Sequence, residues 1–267
     1  LAYSKFVSPD YAMLLNISND HIDWHGSIKK YIEAKFNIFA LQKKNQIALI
    51  NKNFKSYYKK KKLLGKLVIP KTLNYRKYKK KINNPYLQME VNHENMSFVY
   101  SLSKILKIKQ RSFFKSLSTF KGLPHRYEIF LKKKNFIFVN DSKATSFQAT
   151  KFALESAKNI FWIVGGLPKK NDKFYFKNIQ KNIIKSYIIG KNIVFFKKQL
   201  QKKIKYCVTK TLNKSLLEIF KDIKFLKKKN YAIILSPASA SFDQFANFEK
   251  RGEEFKKLSK DYARKYI

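Results

Sequence analysis

Residues 136–166 read FIFVNDSKATSFQATKFALESAKNIFWIVGG, and the reading of this stretch decides the fold. Residues 136–140 alternate with 127–131 around KKKN and predict a hairpin. A polar loop, DSKATS, follows it. Helical spacing is expected over 147–157, and IFWIV at 160–164 is a short apolar run of strand type that ends in a glycine pair. The same alternation continues to the C-terminus. Strand-like runs fall at 186–190, 204–208 and 231–235, and helix-like segments near 174–184, 212–225 and 244–264. Alternating strands and helices predict a mostly parallel sheet with helices on both faces. Ligands collect outside the carboxyl ends of such strands. The loops DSKAT, GGLPK and SPASAS all follow strand-like runs, so they are expected at one edge.

Gly122-Leu123-Pro124 reads as a hinge and divides the chain into 1–122 and 123–267. In the first part, YAMLLN (11–16) and IALIN (47–51) read as buried strands. Between them a helix is expected from Ile28 to Lys43, with Tyr31, Ala34, Ile38 and Leu41 on its apolar face and Ser27 as its cap. Residues 55–81 break up into lysine blocks and read as an insertion or loop. Helices are expected over 94–106 and 111–120.

The net charge of +41 would by itself predict a nucleic-acid or anionic-membrane partner. The basic residues are unevenly chosen, however: only five of 58 are arginine, at 76, 111, 126, 251 and 264. A surface that reads phosphates and bases uses the planar arginine fork far more. Lysine, Asn, Ile, Phe and Tyr are abundant together, as in the drift of an AT-rich genome. Solvated lysine faces are therefore expected, and no specific nucleic acid. No run of about 18 apolar residues occurs, so no membrane span is expected. Cys207 is the single cysteine, which excludes an internal disulfide and suits a cytoplasmic location.

Taken singly, the chemistry-bearing residues have ordinary structural readings. His21 is a loop histidine, Lys35 a solvated helix residue, the GG pair a tight turn, and Asp141 or Ser142 a helix cap. SPASASFDQF is more specific. Small residues at a strand end before a capped helix make an anion-receptive loop of backbone donors and hydroxyls.

Together and in order, LNISNDHIDWHGS with EAK, GLPHRYE, NDSKAT, GG-x-x-K and LSPASASFDQFANFEKRGEEF resemble the motif series of the Mur ligase family. GLPHR and SPASASFDQF are similar to its D-glutamate-adding branch. The resemblance runs from about Tyr11 to the C-terminus, apart from residues 55–90. It implies an α/β chain: an incomplete central P-loop-type ATPase domain (1–122), then a C-terminal Rossmann-like domain (123–267) with a mostly parallel sheet. The implied reaction is ATP-dependent amide ligation through an acyl-phosphate, joining D-glutamate to UDP-N-acetylmuramoyl-L-alanine in peptidoglycan synthesis. The implied partners are those two substrates, and the full-length protein is expected to be a monomer. The alternatives are a sibling ligase with another amino acid and a basic nucleic-acid-binding module.

By resemblance, His21 and Lys35 are the catalytic metal-site residues. His21 would ligate Mg2+, and Lys35 would be carbamylated to give a carboxylate-like ligand. Asn92 and Asn95 match a pair near the adenine of ATP, although MEVNHEN lacks the family's glycine-rich context. Arg126 matches an ATP-binding arginine, and Asp141 and Lys143 match residues at the ribose and phosphates. Thr145, Lys169, Ser241 and Phe248 match the D-glutamate site, with Lys170 and Lys173 as competitors for the role of Lys169. The family's G-x-x-G-K-[ST] loop, which cradles phosphate on backbone N–H groups, does not occur in the 267 residues. The N-terminal UDP-binding domain and an acidic metal ligand are expected to precede position 1. The chain alone is therefore expected to be an inactive, N-terminally truncated fragment.

Overall fold

The computed structural model describes residues 6–17, 22–71, 78, 81–82, 84–88, 92–226 and 230–267. The chain separates into two compact units, 1–121 and 122–267.

In the first unit, β1 (Tyr11–Leu14), α1 (Ile22–His25) and α2 (Ile28–Phe36) lead to β2 (Ile47–Ile50), α3 (Lys55–Lys60) and β3 (Lys66–Val68). The three strands form a parallel sheet in the order β1-β2-β3. Ser27 caps α2 through a bond from the Lys30 N–H at 3.2 Å. The helix stops at Phe36, short of the expected Lys43, and a 3-10 turn, Asn37–Phe39, follows. That turn changes the rotation per residue, so Phe39 is buried while Leu41 is exposed. The Gln42 side-chain amide then bonds the carbonyls of Pro9 and Ile47, turning the chain into β2.

The lysine blocks of 55–81 are not simply a loop. Tyr58 is buried and its hydroxyl bonds the Gly65 carbonyl at 2.8 Å. Leu63, Leu67 and Ile69 pack on the cluster of Phe36, Phe39 and Ala48. The lysines form the outer faces of an ordinary helix and strand. Residues 72–77, 79 and 80 of this stretch lie outside the described residues. Three helices complete the unit: α4 (Pro85–Gln88), α5 (His93–Ile105) and α6 (Gln110–Thr119). They pack through Ile82, Leu87, Met96, Tyr100 and Phe113.

In the second unit the elements are β4 (Glu128–Lys133), β5 (Phe136–Asn140), α7 (Phe147–Glu155), β6 (Ile160–Gly165), β7 (Ile183–Ile189), α8 (Ile193–Leu200), β8 (Tyr206–Lys210), α9 (Leu212–Ile223), β9 (Tyr231–Leu235) and α10 (Phe248–Tyr266). The sheet order is β4-β5-β9-β6-β7-β8. Only the β4–β5 hairpin is antiparallel; the remaining pairs are parallel. One face buries Phe138, Phe161, Ile163, Tyr187 and Ile233 against α9 and α10. On the other, Trp162 meets the rings of Phe147 and Phe174. Helices thus cover both faces, as a parallel sheet requires.

The helix expected at 174–184 is absent. Phe174 and Phe176 are buried in non-helical chain, and the Phe174 N–H and C=O are taken by the side chains of Gln199 and Lys203. Only a 3-10 turn, Gln180–Asn182, forms before β7 begins. The helix on this side is instead α8.

Candidate functional site

The loops after β5, β9 and β6 meet at one edge of the second sheet. Asn140, at the end of β5, organises the first of them. Its Oδ1 accepts the Ser142 N–H at 3.2 Å, which turns its Nδ2 toward His125 Nδ1 at 2.9 Å and Glu128 Oε2 at 3.0 Å. Burial opposes the Glu128 charge, yet hydrogen bonds from Lys256, the His125 N–H and Asn140 hold its carboxyl below its ordinary value. His125 (φ 61) and Tyr127 (φ 43) both occupy the left-handed region, a strained state for such bulky residues. The turn is over-determined by the Lys143 N–H bonding the His125 carbonyl and the Tyr127 N–H bonding Asp141 Oδ1. Arg126 stands exposed at its apex.

Asp141 faces inward. Its second oxygen accepts the Ser236 hydroxyl at 2.7 Å, and burial raises its carboxyl to about 7 despite these bonds and the nearby Arg126 charge. Lys143 is exposed, with its Nζ 4.3 Å from the centre of the Phe248 ring. Thr145 is half-buried just before Ser146, which caps α7. The Phe147 N–H bonds Asp172 Oδ2 at 2.8 Å, tying this loop to the one that carries Lys169. Lys169 is half-buried there.

Leu167 and Ala240 exchange a pair of backbone hydrogen bonds, joining the glycine-pair loop to SPASAS. A Cβ on Gly166 would lie 2.4 Å from the Ala240 carbonyl oxygen, so only glycine permits this approach. Ser241 is buried, and its carbonyl accepts the N–H groups of Gln244 and Phe245. Asp243 accepts the Lys191 N–H at 2.9 Å and so fixes the far end of the loop. Arg251, buried in the first turns of α10, bonds Ser142, Ser239 and Ala240. Burial lowers its guanidinium to about 10, partly offset by the Asp243 charge.

The edge therefore gathers Arg126, Asp141, Lys143, Thr145, Lys169, Ser241 and Phe248 from distant parts of the sequence. Asn140, Asp172, Asp243 and Arg251 were not picked out by sequence reasoning. Arg251 carried a signal, as one of five arginines in a lysine-rich chain. An open groove of about 400 Å³, lined by Thr211, Asn213, Gln244, Lys250 and Glu254 among others, contains none of the expected residues.

In the first unit, Lys35 is half-buried on α2, its Nζ 5.3 Å from the Tyr31 ring centre. His21 lies outside the described residues. Asn92 is buried and donates to the Tyr86 carbonyl at 2.7 Å, whereas Asn95 is exposed. Among the described residues no three His, Cys, Asp or Glu side chains converge, and an ammonium offers a metal no lone pair. These residues do not by themselves fit a magnesium ion.

Residues 2–114 match the Mur ligase middle domain. Over 93% of its length the chain is 32% identical to a UDP-N-acetylmuramoylalanine–D-glutamate ligase of Wolbachia sp. subsp. Brugia malayi, and covers 53% of that protein. It is 34% identical over 96% of its length to the enzyme of the same name from Elusimicrobium minutum, covering 60% of it. The chain thus spans a little over half of the curated relatives it matches. Among solved structures it is similar to the MurF ligase of Thermotoga maritima in complex with ADP, with a TM-score of 0.67 and 15% identity. That alignment covers 97% of this chain and 64% of the other. The likeness to a MurF of Acinetobacter baumannii has a TM-score of 0.69 at 14% identity, over 97% of this chain and 61% of that one. No helix among the described residues is long and apolar enough to cross a membrane.

Proposed function

Because the chain belongs to the Mur ligase family, we propose that it holds the acceptor side of an ATP-dependent ligase that joins D-glutamate to UDP-N-acetylmuramoyl-L-alanine. The observation that carries this reading is the convergence of three loops, with Thr145, Lys169 and Ser241, at one sheet edge. A dicarboxylate with a reactive amine needs such a set. Lys169 pairs with one carboxylate, the hydroxyls of Ser241 and Thr145 donate to the acceptor, and the Phe248 ring walls the site. The relatives' printed name supports D-glutamate as that acceptor.

ATP supplies the phosphoryl group that activates the partner carboxylate, in keeping with the ADP held by the Thermotoga maritima neighbour. The amine of D-glutamate attacks the acyl carbon, the amide C–N bond forms and phosphate leaves. The protein's part is to bring two anions together and keep water from the activated acyl group. In the second unit, exposed Arg126 and Lys143 are the cations that screen the phosphates, with buried Asp141 behind them; in the first, Asn92 and Asn95 are the pair that the family resemblance assigns to the adenine. Lys35, once carbamylated, would carry an anionic oxygen group in place of its ammonium.

Calorimetric titration of the chain with D-glutamate, meso-diaminopimelate, L-alanine and L-lysine tests the reading. D-glutamate is expected to bind in preference; preference for another acceptor would overturn it. The chain contains no G-x-x-G-K-[ST] loop, so by itself it is expected to show no D-glutamate-dependent ADP formation.

A further inference from the structure

Arg251 is 1% exposed, and no carboxylate lies within ion-pair distance of it among the described residues. It is the fourth residue of α10, near the end of the helix where the dipole disfavours a cation. Burying a guanidinium without a counter-ion is costly as well. Electrostatics alone would not place this residue here. Its hydrogen bonds explain the choice.

Nε donates to Ser142 Oγ at 3.0 Å, and Nη2 to the carbonyls of Ser142 at 2.7 Å and Ser239 at 2.9 Å. Nη1 donates to the Ala240 carbonyl at 3.2 Å. A Cβ on Gly166 would lie 3.2 Å from the same Nη1, so the glycine pair passes directly against the guanidinium. One planar fork thus touches all three loops of the site, reaching Ser142 across 109 residues of sequence. Ser142 Oγ also donates to the Phe248 carbonyl at 2.8 Å, and Phe248 carries Lys143 on its ring. The strained Ala238 (φ 56) precedes one of the clamped carbonyls. A lysine offers three donors at a single point and cannot span these acceptors.

We propose that Arg251 is a positioning residue for the acceptor amino acid, fixing the DSKAT and SPASAS loops against the glycine pair and thereby setting acceptor affinity. This rests on the acceptor reading above. Arg251 touches the loops, not the ligand.

The test uses the full chain with R251K and S142A, the latter removing one clamp acceptor while leaving the guanidinium in place. D-glutamate affinity is read by calorimetry, and amide exchange is compared between residues 141–145 and 238–242 and the control strand β6. R251K is expected to weaken D-glutamate about tenfold and S142A about threefold. Exchange should quicken in both loops but not in β6. Combining R251K with S241A should cost less than the product of the single losses, because Arg251 acts partly through the Ser241 loop. A purely structural role predicts independent losses. Wild-type affinity in R251K, or unchanged loop exchange in both variants, would overturn the role of Arg251. If R251K does not fold, S142A decides through the same two measurements. A wild-type chain that binds no D-glutamate overturns the acceptor reading instead, and the exchange comparison keeps that failure distinct.

Discussion

Replacing Asp141 by Asn should stabilise the second unit at neutral pH and above, and should not do so in acid. The Asp141 carboxyl is buried, with an unfolded value near 3.8 and a folded value of about 7. A folded value above the unfolded one means that the folded state holds the proton more tightly. Its contribution to stability is therefore full below pH 3.8 and lost as pH rises through 7. At about 1.4 kcal/mol per pH unit in that window, wild-type stability should fall by about 3 kcal/mol between pH 5 and 8 from this group. Asn keeps the shape and can still accept from the Tyr127 N–H, while Ser236 must change from donor to acceptor. Over the whole shift from 3.8 to about 7 the deficit at pH 8 is about 4 kcal/mol; the exchange of Ser236 costs about 1 kcal/mol, leaving Asp141→Asn ahead by about 3 kcal/mol at pH 8. Trp162 is buried in the second unit and Trp24 exposed in the first. Urea titrations followed by tryptophan fluorescence in a Trp24→Phe background therefore report on the second unit. If the gap between Asp141→Asn and its parent does not widen from pH 5 to pH 8, Asp141 is not carrying this cost. A group that destabilises its own fold under working conditions is best understood as kept for the chemistry proposed at this edge.

Gly252→Ala offers about 1 kcal/mol of helix propensity. Its Cβ would lie 2.2 Å from His125 Nδ1 and 2.9 Å from Asn140 Oδ1, so a net loss of about 1–3 kcal/mol is expected in the same urea titration; a stabilised variant contradicts the packing. Lys35 carbamylation should give a carbamate carbon signal on incubation with ¹³C-bicarbonate that is missing in Lys35→Ala, and equal signals in both would refute it. Anisotropy with a random-sequence oligonucleotide should report binding at low salt that collapses by about 300 mM, as the net charge of +41 requires; sequence-specific binding that survives would revive the nucleic-acid reading.

The alternation that placed DSKAT, GGLPK and SPASAS at one edge was legible because buried parallel strands are short unbroken apolar runs such as IFWIV. Two elements were not. Residues 55–68 were hidden because lysine fills most outward positions and Leu64 is itself exposed, leaving Tyr58, Leu63 and Leu67 as isolated apolar letters rather than a pattern. Residues 174–184 carry helix-like spacing, but side chains distant in sequence take the backbone groups of Phe174, which no local rule foresees. At the candidate site, Lys169 and Ser241 were singled out from their motifs, and the structure brings the loops that carry them to one edge. The inward turn of Asp141 and the clamp made by Arg251 depend on partners 95 and 109 positions away, a kind of information that spacing does not hold.

The strand order also governs when this unit can be born. The middle position between β5 and β6 belongs to β9, the last strand in the chain. Until residue 235 has emerged from the ribosome, Phe138 and Phe161 lie on strands with an empty lane between them, and the fold has no stable half-built form to rest in. Nascent second units should therefore spend much of their synthesis as clients of chaperones, and close in one late step.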